Sequence, residues 1–243
     1  MKAGILAGTA IYSIPSIEME ERIVETPYGE ALVLQGMGDD QDLFFIPRHG
    51  RHHTIPPHKV NYRANIKAFN QLGIRYLLGA YAVGSINRNL PPFSMVAFDD
   101  FLDFTSGRET TFFDGDLYPL KHVDMSQPLC PELRAALLGY APDFGLEIVA
   151  GGTYVTTNGP RLESPAEIRM FESLGVDVVG MTAVPEITLA KELDLCMAAV
   201  GFSVNWAAGI EEKVNFIEAG LDELVATLMK VFVHTLRSMQ SGR

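Results

Sequence analysis

The sequence predicts an α/β domain around a largely parallel central sheet. Two observations carry this: short apolar, β-rich runs that end in Gly-containing or polar turns, and helical patterns between them with readable caps. The runs are 3–8 (AGILAG), 42–47 (DLFFIP), 75–85 (RYLLGAYAVGS), 146–157 (LEIVAGGTYVTT), 176–182 (VDVVGMT) and 197–205 (MAAVGFSVN). Continuous apolar runs of this length suit strands covered on both faces. A first helix is expected over 60–72, closed by Gly73 in the C′ position. A second starts at SPAE, where Ser164 as N-cap, Pro165 at N1 and Glu167 at N3 form a capping box. A third spans 184–193, with Pro185 and Glu186 in its first turn, and the apolar spacing of 221–239 predicts a C-terminal helix. In such sheets ligands bind beyond the carboxyl ends of the strands, so the turns after the strands are where chemistry is sought.

Composition bounds the rest. The 243 residues are 47% hydrophobic and 20% charged, with no linker, repeat or low-complexity block, which predicts one domain over 1–243. A net charge of -11 argues against a nucleic-acid surface, which needs a basic face. Cys130 and Cys196 are too few for a disulfide framework and too far apart for a zinc knuckle. Both are expected to be reduced core residues, with a cytoplasmic location as the default. The opening residues offer one lysine and an apolar stretch, but Gly and Thr interrupt it, so a signal peptide is set aside. No run approaches a membrane span.

Against that acidic background, RHGRHHTIPPHKVNYR (48–63) holds four of the chain's six histidines together with Arg48, Arg51, Lys59 and Arg63. A metal site would need carboxylate or thiolate partners, and the segment has none and is broken by Gly50, Pro56 and Pro57. A solvated loop is the bland reading. A pocket for a small anion fits better than metal, because Arg offers a planar charged fork. Other turns add candidates. AGTA (7–10) follows a strand with exposed amides and a hydroxyl, without any P-loop lysine. Glu163 precedes the capped helix. Thr182 stands near a helix N-terminus that favours anions. Asn205 ends an apolar strand with a carboxamide that both donates and accepts.

In this order, RHGRHHTIPPHKVNYRANI, AVGSI, TSGRETTFFDG, GPRLESPAEIRMF, GMTAVPEITLAKEL and SVNWAAG resemble the trimeric purine nucleoside phosphorylase and methylthioadenosine phosphorylase family over nearly the whole chain. The resemblance implies a single α/β domain with a distorted mixed sheet flanked by helices. It also implies a homotrimer and phosphorolysis of a nucleoside to free purine and sugar 1-phosphate, with no cofactor, inorganic phosphate being co-substrate. By the same resemblance Thr9, Arg48, His49, Tyr81, Ala82 and Thr182 hold phosphate, the contacts of Tyr81 and Ala82 being through the backbone. His53 lies toward the ribose, Met181 packs on it, and His122 is offered to the 5′ side by a neighbouring subunit. Charge builds on sugar and purine as the bond lengthens, so preset electrostatics carries the catalysis and no covalent nucleophile is needed.

The adenine-specific branch carries aspartates at the positions of Asn205 and Ala207. The 6-oxopurine enzymes pair Asn205 with Glu163, which suits a base bearing an N1–H donor. Phe216 stands where inosine and guanosine phosphorylases use a histidine for the 5′-hydroxyl, and an apolar ring suits a methylthio group; the other reading of Phe216 is a core residue, with the 5′ end open to water. The expected substrate is therefore 5′-methylthioinosine, and the chain resembles the bacterial phosphorylases of that nucleoside. The alternatives are a general inosine/guanosine phosphorylase, a methylthioadenosine phosphorylase, a nucleosidase using water, and a non-catalytic nucleoside-binding protein. Two departures bear on phosphate: Ala10 replaces a glycine, losing freedom at positive φ, and Tyr81 replaces a small or hydroxylic residue, which would crowd the phosphate or redirect its binding; weak phosphate affinity or an altered nucleophile is the expectation.

Overall fold

The computed structural model describes residues 1–11, 13–15, 17–217 and 219–241. β1 (Lys2–Ala7) runs through the middle of the sheet, parallel to β4 (Leu43–Pro47) on one side and β5 (Ile74–Ser85) on the other. β1 is a core strand: Ala3, Ile5, Leu6 and Ala7 are all 0% exposed. Beyond β4 the hairpin of β2 (Met19–Thr26) and β3 (Gly29–Gly36) forms an antiparallel edge.

β5 is where the sheet forks. Along its length it pairs in parallel with β11 (Cys196–Trp206), with a bulge between Ser203 and Asn205. At its end Gly84 and Ser85 also pair, antiparallel, with β10 (Val178–Gly180). β10 continues through β9 (Thr153–Thr156) to β7 (Asp100–Asp103), both pairings parallel. From β11 the other branch runs to β6 (Met95–Ala97) and β8 (Val149–Ala150). A mixed, distorted sheet results, as the family resemblance implied. The 146–157 run is two strands, because Gly151 and Gly152 sit between them at φ +95° and +144°.

Side-chain parity sorts the core into two layers. Ala3, Ile5, Tyr76, Leu78, Ala198 and Val200 pack with α2 (Pro131–Tyr140) and α5 (Leu221–Ser241). Leu6, Leu77, Tyr81 and Ala199 pack on the opposite face with α1 (Tyr62–Gln71) and α4 (Ala183–Glu192). The caps fall where expected. Gly73 follows α1 at φ +77°, and α3 (Pro165–Ser173) carries the full Ser164–Glu167 capping box. The hairpin, α2 and the short strands β6 and β7 were not expected from the sequence.

The cysteine reading is corrected. Cys130 and Cys196 form a disulfide with Cα atoms 5.1 Å apart, a separation such bonds favour. The Cys130 amide donates to the Met197 carbonyl at 2.7 Å, which docks the residue before α2 against the start of β11. With the pair oxidised, the argument for a cytoplasmic location from reduced thiols loses its support. Among the described residues no helix is long and apolar enough to cross a membrane.

Candidate active site

A cavity of about 620 Å³ opens where β10 and β11 diverge from β5. Its walls come from the end of β5 (Ala82, Val83, Gly84), from β10 and its turn (Gly180, Met181, Thr182) and from the end of β11 (Val204, Asn205, Ala207). Thr9, the 48–57 segment, Glu163 and Phe216 close the remaining sides. The fork explains why chemistry collects here: two strands leaving one another expose the side chains at their ends without breaking the ladder beneath. Of the residues named from the sequence, Thr9, Arg48, His49, His53, Ala82, Glu163, Met181, Thr182, Asn205, Ala207 and Phe216 all line this cavity. Tyr81 and His122 do not. His122 lies exposed on the long connection between β7 and α2.

Tyr81 is corrected first. Strand parity turns its ring away from the cavity into the α1/α4 layer, where it is 1% exposed, so it cannot crowd an anion. Its hydroxyl instead donates to Glu186 Oε2 at 2.7 Å, and its ring lies 4.4 Å from the Arg48 guanidinium. Burial, then the Glu186 charge, raise the phenol far above its ordinary range, so it stays a neutral donor.

Arg48 is in the expected place but its fork is occupied. Nε donates to Glu186 Oε1 at 2.7 Å and Nη2 to Oε2 at 2.9 Å. Nη2 also donates to the Leu6 carbonyl and Nη1 to the Ala80 carbonyl. Burial alone would lower its pKa, but Glu186 holds it above its usual value. Of the five guanidinium N–H groups, one on Nη1 is left, and it faces Gly8: a Cβ there would lie 2.8 Å from Nη1 and 2.7 Å from His49 Cδ2. The bidentate anion clamp expected of Arg48 is thus a buried ion pair that offers one N–H. The other arginines of the segment are paired outside the cavity, Arg51 with Glu21 and Arg63 with Asp114 and Glu109.

His49 is buried, and its Nδ1 bonds the Ile55 carbonyl at 2.8 Å. Burial, then the Arg48 charge, lower its pKa to about 4. His53, at φ +52°, lies beside it, with ring centroids 4.6 Å apart and the planes tilted by 48°. Ala10 takes φ +64°. The left-handed turn after β1 is therefore kept without glycine, at a cost of about 1–2 kcal/mol.

The other end of the cavity is less charged. Glu163 is 8% exposed, and its Oε1 accepts from the Thr157 hydroxyl at 2.5 Å. Burial raises its pKa above the carboxylate norm. Asn205 donates from Nδ2 to the Trp206 carbonyl at 2.7 Å, and a side chain on Gly84 would meet that nitrogen at 3.2 Å. The bulge at Ser203–Asn205 swings the carboxamide over the fork. Phe216 is 57% exposed, so it stands at the rim and is not core.

Thr182 is buried, and its hydroxyl makes no capping bond. The helix-terminus argument for it is corrected, because Val184 is extended (φ -107°, ψ 127°) and its amide donates to Thr156 Oγ1. Helical geometry begins only after Val184, and the first-turn carboxylate, Glu186, is held by Arg48. Sequence reasoning missed the partners Glu186 and Thr157. Glu186 was read only as a first-turn residue, although a fully buried carboxylate demands a cation. Among the described residues the only metal-type grouping is Cys130, Glu132 and Cys196, whose sulfurs are joined to each other.

The chain is similar to known proteins over nearly its full length. It is 45% identical to the 6-oxopurine nucleoside phosphorylase of Pyrococcus furiosus, over 87% of this chain and 82% of that protein. It is 44% identical to a probable S-methyl-5′-thioinosine phosphorylase of Methanopyrus kandleri, over 89% and 83%. Its fold superposes on methylthioadenosine phosphorylase from Schistosoma mansoni with a TM-score of 0.91 at 28% identity, covering 99% of this chain and 92% of that one. The family model described as the phosphorylase superfamily matches residues 2–237. This chain belongs to the phosphorylase superfamily.

Proposed function

We propose that the protein is a pentosyltransferase that cleaves a 6-oxopurine nucleoside with phosphate, and that 5′-methylthioinosine is the nucleoside it fits best. The products are hypoxanthine and 5-methylthioribose 1-phosphate. One observation carries the base assignment: Glu163 and Asn205, far apart in sequence, are buried in one cavity. Thr157 donates to one Glu163 oxygen, and the carboxylate, with lone pairs to spare, would accept from an N1–H donor, which hypoxanthine has and adenine lacks. Relatives named for 6-oxopurine nucleosides and for methylthioinosine support the same base. The 5′ choice rests on Phe216, an apolar ring at the cavity rim.

In this reading phosphate lies between Gly8–Thr9, the Arg48 Nη1 donor, His49 and the Thr182 hydroxyl, with His53 toward the ribose and Met181 beneath it. The enzyme would work as a homotrimer in which exposed His122 reaches the 5′ end of a neighbour's nucleoside. Base release from 5′-methylthioinosine, inosine and 5′-methylthioadenosine, with and without phosphate, tests the reading. Phosphate-dependent hypoxanthine release, fastest from methylthioinosine, is expected. A preference for inosine sinks the Phe216 argument, and release without phosphate makes the protein a nucleosidase.

A further inference from the structure

We propose that His49 meets the anion as a hydrogen-bond acceptor, so that the site takes a tetrahedral oxyanion that carries a proton and rejects sulfate. The inference deepens the phosphorolysis reading and rests on it. The geometry decides the tautomer. A carbonyl oxygen can only accept, so the 2.8 Å bond from Nδ1 to the Ile55 carbonyl places the ring proton on Nδ1. Nε2 then bears a lone pair. It faces the same space as the last Arg48 N–H, since a Cβ on Gly8 would lie 3.0 Å from Nε2 and 2.8 Å from Arg48 Nη1.

The surroundings keep the ring neutral. His49 is 6% exposed beside the Arg48 guanidinium, and the carboxylate paired with that guanidinium, Glu186, is engaged by Arg48 and Tyr81. The neighbouring ring, His53, adds no negative charge. An oxyanion oxygen opposite a bare imidazole nitrogen would be two acceptors face to face. A P–OH group there makes a hydrogen bond, and it directs the unprotonated oxygens toward Arg48, Thr182 and the sugar.

The test compares two anions of equal charge and similar size that differ by one proton. At pH 8, HPO4²⁻ and SO4²⁻ are titrated into the protein calorimetrically and assayed in base release, phosphate as substrate and sulfate as competitor. Sulfate should bind the unmodified protein at least roughly tenfold more weakly than phosphate, the scale of one mismatched buried polar contact. Arsenate, which keeps its proton, should bind like phosphate. In His49→Gln an amide donor replaces Nε2, and the preference should shrink or reverse. His49→Asn keeps a donor for Ile55 and removes the anion-facing atom, and it should bind the two anions alike. Equal binding of phosphate and sulfate by the unmodified protein, or an unchanged ratio in both variants, overturns the inference while leaving phosphate-dependent turnover intact. Base release that ignores phosphate, with neither anion bound, overturns the phosphorolysis reading as well.

Discussion

Glu163→Gln separates base recognition from every other role of the site. In the structure the Thr157 hydroxyl donates to Glu163 Oε1 at 2.5 Å, and in the variant it would donate to the amide oxygen. That choice turns the amide N–H₂ toward the base, where it opposes N1–H of hypoxanthine but complements the N1 lone pair of adenine. A hydrogen bond to a charged, buried group contributes about 1.5–3 kcal/mol. At about 1.4 kcal/mol per decade, kcat/KM for methylthioinosine should fall roughly 12- to 150-fold. For methylthioadenosine it should hold or rise. Steady-state kinetics of both nucleosides at saturating phosphate gives the ratio. The fold should be untouched, because the Thr157 bond survives and a charge leaves a buried position, so melting provides the control. Equal losses on both nucleosides would refute the assignment, as would unchanged turnover of methylthioinosine. The pH profile adds a check. Burial raises the Glu163 pKa, so on acidification the accepting carboxylate is lost above the ordinary carboxylate range near about 4.3. The variant should lack that acid limb.

Three further expectations concern the scaffold. Tyr81→Phe keeps the ring over Arg48 but removes one of Glu186's donors; a loss of about 1–2 kcal/mol, or roughly 2–8 °C in melting temperature, is expected with a raised KM for phosphate. An unshifted melting curve would show that the bond is idle. Replacing Cys130 and Cys196 by Ser opens a cross-link of sequence separation 66, a loss of about 4 kcal/mol on the chain-entropy scale. Melting with and without reductant measures it, with thiol titration to confirm reduction. Ala10→Gly relieves the turn at φ +64° but loosens the unfolded chain; a net gain of up to about 1 kcal/mol is expected, and a clear loss would mean that the Ala10 methyl packs usefully.

Much of the fold is legible because the central strands are covered on both faces. β1, β4, β5 and β11 read as unbroken apolar runs for that reason. The β2–β3 hairpin escapes because MEERIVET is an edge strand with mostly exposed, charged side chains. β6 is too short to show a period, and β8 reads as one run with β9 because only Gly151 and Gly152 divide them. α2 carries a readable start signal, since PELRAALLGY opens with Pro131 and Glu132 in a first turn. The site's residue types were legible through resemblance, but their wiring was not. Arg48 and Glu186 are 138 residues apart, and nothing local to either announces the pair. Tyr81 was partly legible, since counting along β5 puts it on the side of Leu77 and Val83. That parity sends the ring toward α4, and only the partner there was hidden.

The buried Arg48–Glu186 pair changes how phosphate arrives. A chain of net charge -11 repels a dianion from a distance, and the guanidinium that would have drawn it in is cancelled by its own carboxylate. Capture then depends on short-range hydrogen bonds and not on electrostatic steering. Added inert salt, which slows the association of anions with most basic sites, screens only repulsion here. Measured by stopped flow, phosphate association should hold steady or quicken as ionic strength rises. Phosphorolysis in this chain would therefore tolerate brines in which a cation-lined pocket loses its substrate.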